Sequence, residues 1–263
     1  MRLIDTHCHL AAPAFADDRD AVAAAAKAAG VVALVVPAVD LASVTAVRDC
    51  CRRFAGCAAA YGIHPLYVRH ASEDDLAALR ECLGEGLGAP ARPVAVGEIG
   101  LDLFIDDPDF ARQEHFFVEQ LRIARAVDLP VLLHVRRAID QVLGHLRRVR
   151  VRGGIAHAFN GSRQQADQLI KLGFKLGFGG AMTHPRATRI RTLAAALPLT
   201  SMVLETDAPD MPPAWLAGSR NSPDQLPGIN ATLADLRNMD PAELASQTSA
   251  NVLAVLPELR LPD

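Results

Sequence analysis

A chain of 263 residues, half of them apolar, can bury a sizeable core, and since barrels of about 250 residues form one domain, residues 1–263 are expected to be a single unit. Its 27 basic residues against 30 acidic ones leave a net charge of −3, which excludes a protein that coats nucleic acid through overall basic charge, though not a local basic rim around a cleft. No apolar run approaches the roughly 20 residues that span a bilayer, and the start of the chain has no signal-peptide pattern, so a soluble cytoplasmic protein with no membrane partner is expected.

The first apolar run, Leu3-Ile4, leads into Asp5-Thr6-His7-Cys8-His9. A strand over Leu3–Thr6 gives His7 and His9 the same parity, because strand side chains alternate faces. Residues Asp17 to Ala29 are alanine-rich and stop at Gly30, as a helix does. Val31 to Val36 is continuously apolar, which suits a strand covered on both faces in a parallel sheet. Leu41 to Phe54 reads as a helix, and Cys57 to Tyr61 as a strand ending in Gly62-Ile63-His64-Pro65. Ser72 to Glu85 carries an N-cap serine with acids in its first turn. The strand Pro93–Val96 ends in Gly97-Glu98-Ile99-Gly100-Leu101-Asp102.

Phe110, Phe117, Leu121 and Ala124 form one stripe of a helix over 110–127. Pro130–Leu133 is a strand ending in His134, followed by a helix over 139–149. Gly154–Ala156 is a strand ending in His157, and Asn160-Gly161-Ser162 opens the next helix. Phe174–Phe178 is a strand, 185–197 a helix, and Ser201–Leu204 a strand ending in Glu205-Thr206-Asp207. The proline-rich stretch from Ala208 to Pro227 predicts a long loop forming a lid or substrate wall. Asp240-Pro241 starts the last helix, running through Asn251, by an N-cap with proline at the first turn. Eight strands alternating with helices require parallel crossovers, and in this length they predict a closed (β/α)8 TIM barrel.

In such a barrel every C-terminal strand end opens onto one face, where the active site lies. His7, His9, His64, Glu98, His134, His157 and Asp207 all stand at strand ends. Each alone has a bland reading as a capping or hydrogen-bonded structural residue. Jointly the bland readings fail, because chance would scatter these residues along helices and both strand ends. Four histidines with one glutamate and one aspartate suffice for two divalent ions. Such a pair, about 4 Å apart, polarises a phosphoryl oxygen and acidifies water. Glu98, with two carboxylate oxygens, is the natural bridge, and Asp207 is placed to take the proton of an attacking water.

Asp5-Thr-His-Cys-His-Leu10, Gly62-Ile-His-Pro65, Gly97-Glu-Ile-Gly-Leu-Asp102, Arg112-Gln-Glu114, Leu133-His-Val-Arg136, His157-Ala-Phe-Asn-Gly161, Glu205-Thr-Asp-Ala-Pro209 and Arg220-Asn221 occur in one order along nearly the whole chain. Together they resemble the TatD family of metal-dependent deoxyribonucleases. The resemblance implies a metallo-dependent hydrolase barrel, with His7, His9 and Asp207 on one ion, His134 and His157 on the other, and Glu98 shared. It implies phosphodiester hydrolysis of DNA, commonly from the 3′ end of single strands. The chain departs from the family pattern at Leu103-Phe104, Asn160 and His184, none of them a proposed ligand, so substrate preference is the property these positions affect.

The metal is open among magnesium, manganese and zinc, although so many nitrogen ligands disfavour magnesium. Arg136, Arg186 and Arg220 follow strands and suit bidentate phosphate contacts, and His64 is expected at the pocket edge. Phe104, Phe159, Tyr67 and Trp215 are the available stacking platforms. The basic run from Arg147 to Arg152 falls on the barrel's far face and reads as a solvated patch. Five cysteines without a C-x-x-C pair read as buried thiols. The expected substrate is single-stranded DNA and the expected state a monomer. The alternative is an ester or amide hydrolase using the same two metals, for example a D-aminoacyl-tRNA deacylase. A barrel that only binds is a third reading, weakened by the intact ligand set.

Overall fold

The computed structural model describes residues 1–85, 93–216 and 218–262. Eight parallel strands follow one another around a sheet in chain order: β1 (Leu3–Asp5), β2 (Val31–Pro37), β3 (Cys57–Tyr61), β4 (Ala95–Asp102), β5 (Val131–Arg136), β6 (Gly154–Ala156), β7 (Phe174–Phe178) and β8 (Met202–Leu204). The crossover helices are α1 (Arg19–Ala28), α2 (Leu41–Arg53), α3 (Glu73–Glu85), α4 (Phe110–Ala126), α5 (Ile139–Arg148), α6 (Arg163–Lys171) and α7 (Thr188–Ala196). After β8 come α8 (Leu226–Arg237) and α9 (Pro241–Val255).

The sheet closes at the seam between β8 and β1. Thr6 N–H donates to Leu204 O at 3.0 Å, Asp207 N–H to His7 O at 2.8 Å and His9 N–H to Ala208 O at 2.8 Å. A buried carboxylate fastens the same seam: Asp5 accepts from the Thr206 N–H at 2.9 Å and the Thr206 hydroxyl at 2.6 Å. Two apolar layers result, as strand alternation requires. Ile4, Val35, Ala60, Ala95, Leu132, Ile155 and Val203 meet in one cluster inside the barrel, joined by Val252, Leu256 and Leu259. The opposite strand faces pack against the helices, with Phe116, Phe117, Leu121, Phe174 and Phe178 all buried.

Helix starts follow local chemistry. Asp40 and Ser43 form a capping box at α2, Ser162 and Gln165 another at α6, and Asp240 accepts from the Ala242 and Glu243 N–H groups beneath Pro241 at α9.

The structure differs from the sequence-based elements in three places. β4 does not stop at Val96 but runs to Asp102, and β5 runs past Leu133 to Arg136. Gly97 and Gly100 read as punctuation in the sequence, yet a Cβ on Gly100 would sit 1.8 Å from His134 O. Glycine there serves close approach between paired strands, not a turn. Second, the loop from Ala208 to Pro227, of which Ala217 lies outside the described residues, ends in a helix that the composition concealed. Pro227 sits in the first turn of α8, where its missing N–H costs nothing. Gly228 gives room to Trp215, whose Cζ2 would lie 2.7 Å from an added Cβ. Third, the segment expected to be helical from 185 begins its α-helix only at Thr188, preceded by a 3-10 turn over Gly180–Thr183.

Among the described residues no helix is long and apolar enough to cross a membrane. Leu132, fully buried at the centre of the barrel-lining cluster, is the residue whose truncation tests this core. Leu132→Ala is expected to cost about 2–5 kcal/mol of stability, read as a lower urea midpoint with an unchanged slope.

Candidate metal centre

Counting in twos from Ala60, Leu132, Ile155 and Val203 inside the barrel reaches His134 within β5 and His64, His157 and Asp207 just past the ends of β3, β6 and β8. Glu98 reaches the same place differently. The β4–β5 ladder shifts register between Val96 and Ile99, an irregularity of the kind that re-aims a side chain. His7 and His9 enter from the segment after β1 that the Asp5–Thr206 contacts hold.

All of these side chains converge on Glu98, which is 2% exposed. Its Oε2 lies 3.1 Å from His7 Nε2 and 3.7 Å from His9 Nε2. Its Oε1 lies 2.9 Å from His134 Nδ1, 3.7 Å from His64 Nε2 and 3.8 Å from His157 Nε2. Asp207 stands opposite, Oδ1 3.6 Å from His9 Nε2 and Oδ2 3.6 Å from His157 Nε2. Donor atoms gather within metal-chelating distance of one another as His7/His9/Glu98, His7/His157/Asp207 and His64/Glu98/His134.

Each residue named at the sequence level as a ligand is therefore in one pocket. His64, expected at its edge, is buried and stands 3.0 Å from His134 Nδ1, inside the donor cluster. Arg136 is exposed beside the mouth. Arg220 is tied to Asp18 by contacts of 3.0 and 2.6 Å and to Ala14 O, over the Phe15 ring. Arg186 is exposed. Of the four aromatic platforms, Phe104, Tyr67 and Trp215 are exposed, but Phe159 is buried and packs in the core, which removes it as a stacking surface.

Burial and charge divide the histidines into two kinds. Burial drives His9 down to about 3, deepened by neighbouring His7, and drives His64 down to about 3 against the partial offset of Glu98. Both stay neutral, as ligands must. For His134 burial is outweighed by hydrogen bonds to Asp102 and Glu98, lifting it to about 8. For His157 burial is outweighed by Asp207 and Glu205, lifting it to about 10. Burial pushes Asp207 above the usual carboxylate range, while at Glu98 the imidazoles of His7 and His64 overcome burial and hold the carboxyl well below it.

Two carboxylates behind the cluster escaped the sequence reading, although both lie in the quoted motifs. Asp102, 1% exposed, receives His134 Nε2 at 3.0 Å and so aims Nδ1 at Glu98. Glu205, also 1% exposed, lies 3.2 Å from His157 Nδ1, an ion-pair contact off hydrogen-bond alignment, and accepts the Ala158 N–H at 2.6 Å. Carboxylates that hold the far nitrogen of an imidazole fix its tautomer and orientation for a metal. The available signal was an acid two residues before Asp207 and another two residues beyond Gly100, each at a strand end with no role assigned.

Five imidazoles and two carboxylates, buried, convergent and held from behind, fit a borderline divalent cation in the class of zinc, manganese or iron. An eight-stranded parallel barrel with this donor set at its mouth defines a metal-dependent hydrolase. The family model described as TatD related DNase matches residues 4–257, and the chain belongs to that family. It is 43% identical over 251 residues, 95% of each chain, to the Escherichia coli K12 protein called uncharacterized metal-dependent hydrolase YjjV. The crystal structure of that TatD homologue superposes with a TM-score of 0.93 at 42% identity, covering 97% of this chain and 98% of the other. The chain is also 35% identical over 256 residues, 95% of each chain, to a Cronobacter sakazakii protein named 3′-5′ ssDNA/RNA exonuclease TatD.

Two outcomes follow for the centre. Asp102→Ala frees the His134 ring, and metal affinity is expected to fall about 10- to 100-fold, measured by competition with a chelator. Second, His134 at about 8 and His157 at about 10 both hold protons at pH 7 in the metal-free protein. A cation taking their lone pairs displaces those protons, so loading at pH 7 releases acid and affinity rises as pH climbs through 8. Metal titration in weakly buffered indicator solution reads this directly, and loading without proton release would contradict it.

Proposed function

We propose that this hydrolase cleaves phosphodiester bonds of nucleic acid, with DNA as the primary substrate, and removes nucleotides from the 3′ end of single strands. The observation that carries the reading is the position of Glu98. One buried carboxylate offers Oε2 to His7 and His9 and Oε1 to His134 and His64, with Asp207 facing it. Two adjacent cation sites sharing a carboxylate are the arrangement that phosphoryl transfer uses. Support also comes from relatives about a third identical whose names specify 3′-5′ ssDNA/RNA exonuclease.

In this reading His7, His9 and Asp207 would hold one divalent ion, His134 and His157 would hold the second, and Glu98 would serve both. Magnesium, manganese and zinc are the ions to test. Bound ions would supply Lewis-acid polarisation of a phosphoryl oxygen and acidify water. Asp207, raised above the usual carboxylate range by burial, accepts the proton of the attacking water. Its φ of +59° keeps the carboxylate turned toward His9 and His157, in a backbone region non-glycine residues occupy mainly where surrounding structure enforces it. The water oxygen bonds to phosphorus as the bond to the 3′ oxygen of the shortened strand breaks, and that oxygen takes its proton from solvent. Arg136, exposed at the mouth, is placed to meet a phosphate of the strand, and Arg220 braces the loop through Asp18.

The test is cleavage of a 5′-labelled single-stranded oligonucleotide by metal-stripped protein with magnesium, manganese or zinc restored singly. Metal-dependent shortening from the 3′ end is expected. Bound metal with no shortening under any ion would refute the nuclease reading and direct attention to an ester or amide substrate. Asp207→Asn is expected to retain part of its metal while turnover falls about 10²- to 10⁴-fold, the usual contribution of a general base. Near-native turnover would remove Asp207 from that role.

A further inference from the structure

β4 and β5 outrun the neighbouring strands, pairing Gly100 with His134, Leu101 with Val135 and Asp102 with Arg136. Leu103 N–H donates to Arg136 O at 2.9 Å and Phe104 N–H to Asp102 Oδ1 at 2.8 Å, so the lip continues to Phe104 in fixed geometry. On that lip the Arg136 guanidinium carbon sits 3.8 Å from the centroid of the Phe104 ring, and that of Arg137 4.3 Å. Phe104 is 45% exposed. Among the described residues neither arginine has a carboxylate at ion-pair distance. Arg137 has a φ of +56°, a backbone held in the left-handed region rather than relaxed.

Two like charges gathered on one exposed phenyl ring repel one another, and the ring quadrupole compensates only in part. Guanidiniums are planar five-donor forks matched to phosphate oxygens, so what completes this pair is an anion with that geometry. Arg136 stands two residues beyond His134 on one strand, a rise of roughly 6–7 Å. That is comparable to the step between neighbouring phosphates along a single strand.

We propose that Arg136, Phe104 and Arg137 form a phosphate-docking platform for the nucleotide next to the scissile one. The platform makes the enzyme favour a polynucleotide strand over an isolated small diester. Phe104 is its positioning residue and the two arginines are its contacts; of these, Arg137 lies outside the motifs that carry the resemblance. The inference rests on the nuclease reading for its substrate class, but its test reads binding rather than cleavage.

The measurement is fluorescence anisotropy of a labelled phosphorothioate oligothymidylate with the metal-loaded protein across a salt series. Arg137→Gln is expected to weaken binding at least fivefold and to reduce the slope of log affinity against log salt by about 0.7, one phosphate contact on a single strand. Arg137→Lys keeps the charge and therefore most of the slope. Phe104→Leu keeps both charges and is expected to weaken binding with the slope unchanged, and it serves if the arginine variant folds poorly. Affinity and slope for Arg137→Gln equal to the unsubstituted protein would overturn the platform. Cleavage with an Arg137-independent slope leaves the nuclease reading standing and removes the platform. An Arg137-dependent slope without cleavage does the reverse.

Discussion

The structure depends on burying one carboxylate. Glu98 is 2% exposed in the throat of the barrel, and an ionised carboxylate removed from water is tolerated only where partners compensate it. Here compensation comes from five imidazoles on four segments, with nitrogens 2.9–3.8 Å from its oxygens. None of those segments lies near the others in sequence. Closure of the barrel is therefore a condition of the charge being bearable, and the convergent charge in turn specifies the site.

Holding imidazoles against one another requires a further layer. Asp5 ties the segment bearing His7 to Thr206 across the seam, Asp102 grips the back of His134, and Glu205 faces the back of His157. Asn221, fully buried, carries the same logic into the long loop by donating to Thr206 O and Asp210 O. Space for these carboxylates is made by absent side chains. A Cβ on Gly177 would lie 2.1 Å from Glu205 Oε2, so a glycine in β7 is a requirement of a carboxylate in the next strand's continuation.

Much of this was legible in the sequence because strand parity is a local property. Starting from Ile155 or Val203 as a barrel-lining residue, counting in twos reaches His157 and Asp207 without any tertiary knowledge. Glu98 breaks that count, and only the register shift between Val96 and Ile99 explains its direction. The extension of β4 was hidden because Gly97 and Gly100 carry the same letter in a turn and in a tight strand pair, and the distinction lies in a neighbour thirty-odd residues away. α8 was hidden by Pro227 and Gly228 for a related reason, since the glycine answers to Trp215 rather than to its own helix. Asp102 and Glu205 were visible as letters, but what an acid does is set by which imidazole lies behind it.

The same distinction separates the parts of the mouth by what they can vary. Donor side chains and the carboxylates behind them are mutually constraining: removing one leaves another charge buried and unpaired, which costs more than the pair contributes. The lip that carries Phe104, Arg136 and Arg137 is held by Leu103 N–H on Arg136 O and Phe104 N–H on Asp102 Oδ1, while these three side chains are exposed. A change of side chain there leaves the hydrogen-bond frame intact and leaves no buried charge behind. Leu103, Phe104, Asn160 and His184 lie on loops and rim rather than among the donors. In this barrel the donor set is locked by burial, and the rim is free to change because it is built on the exposed continuation of the strands that carry the lock.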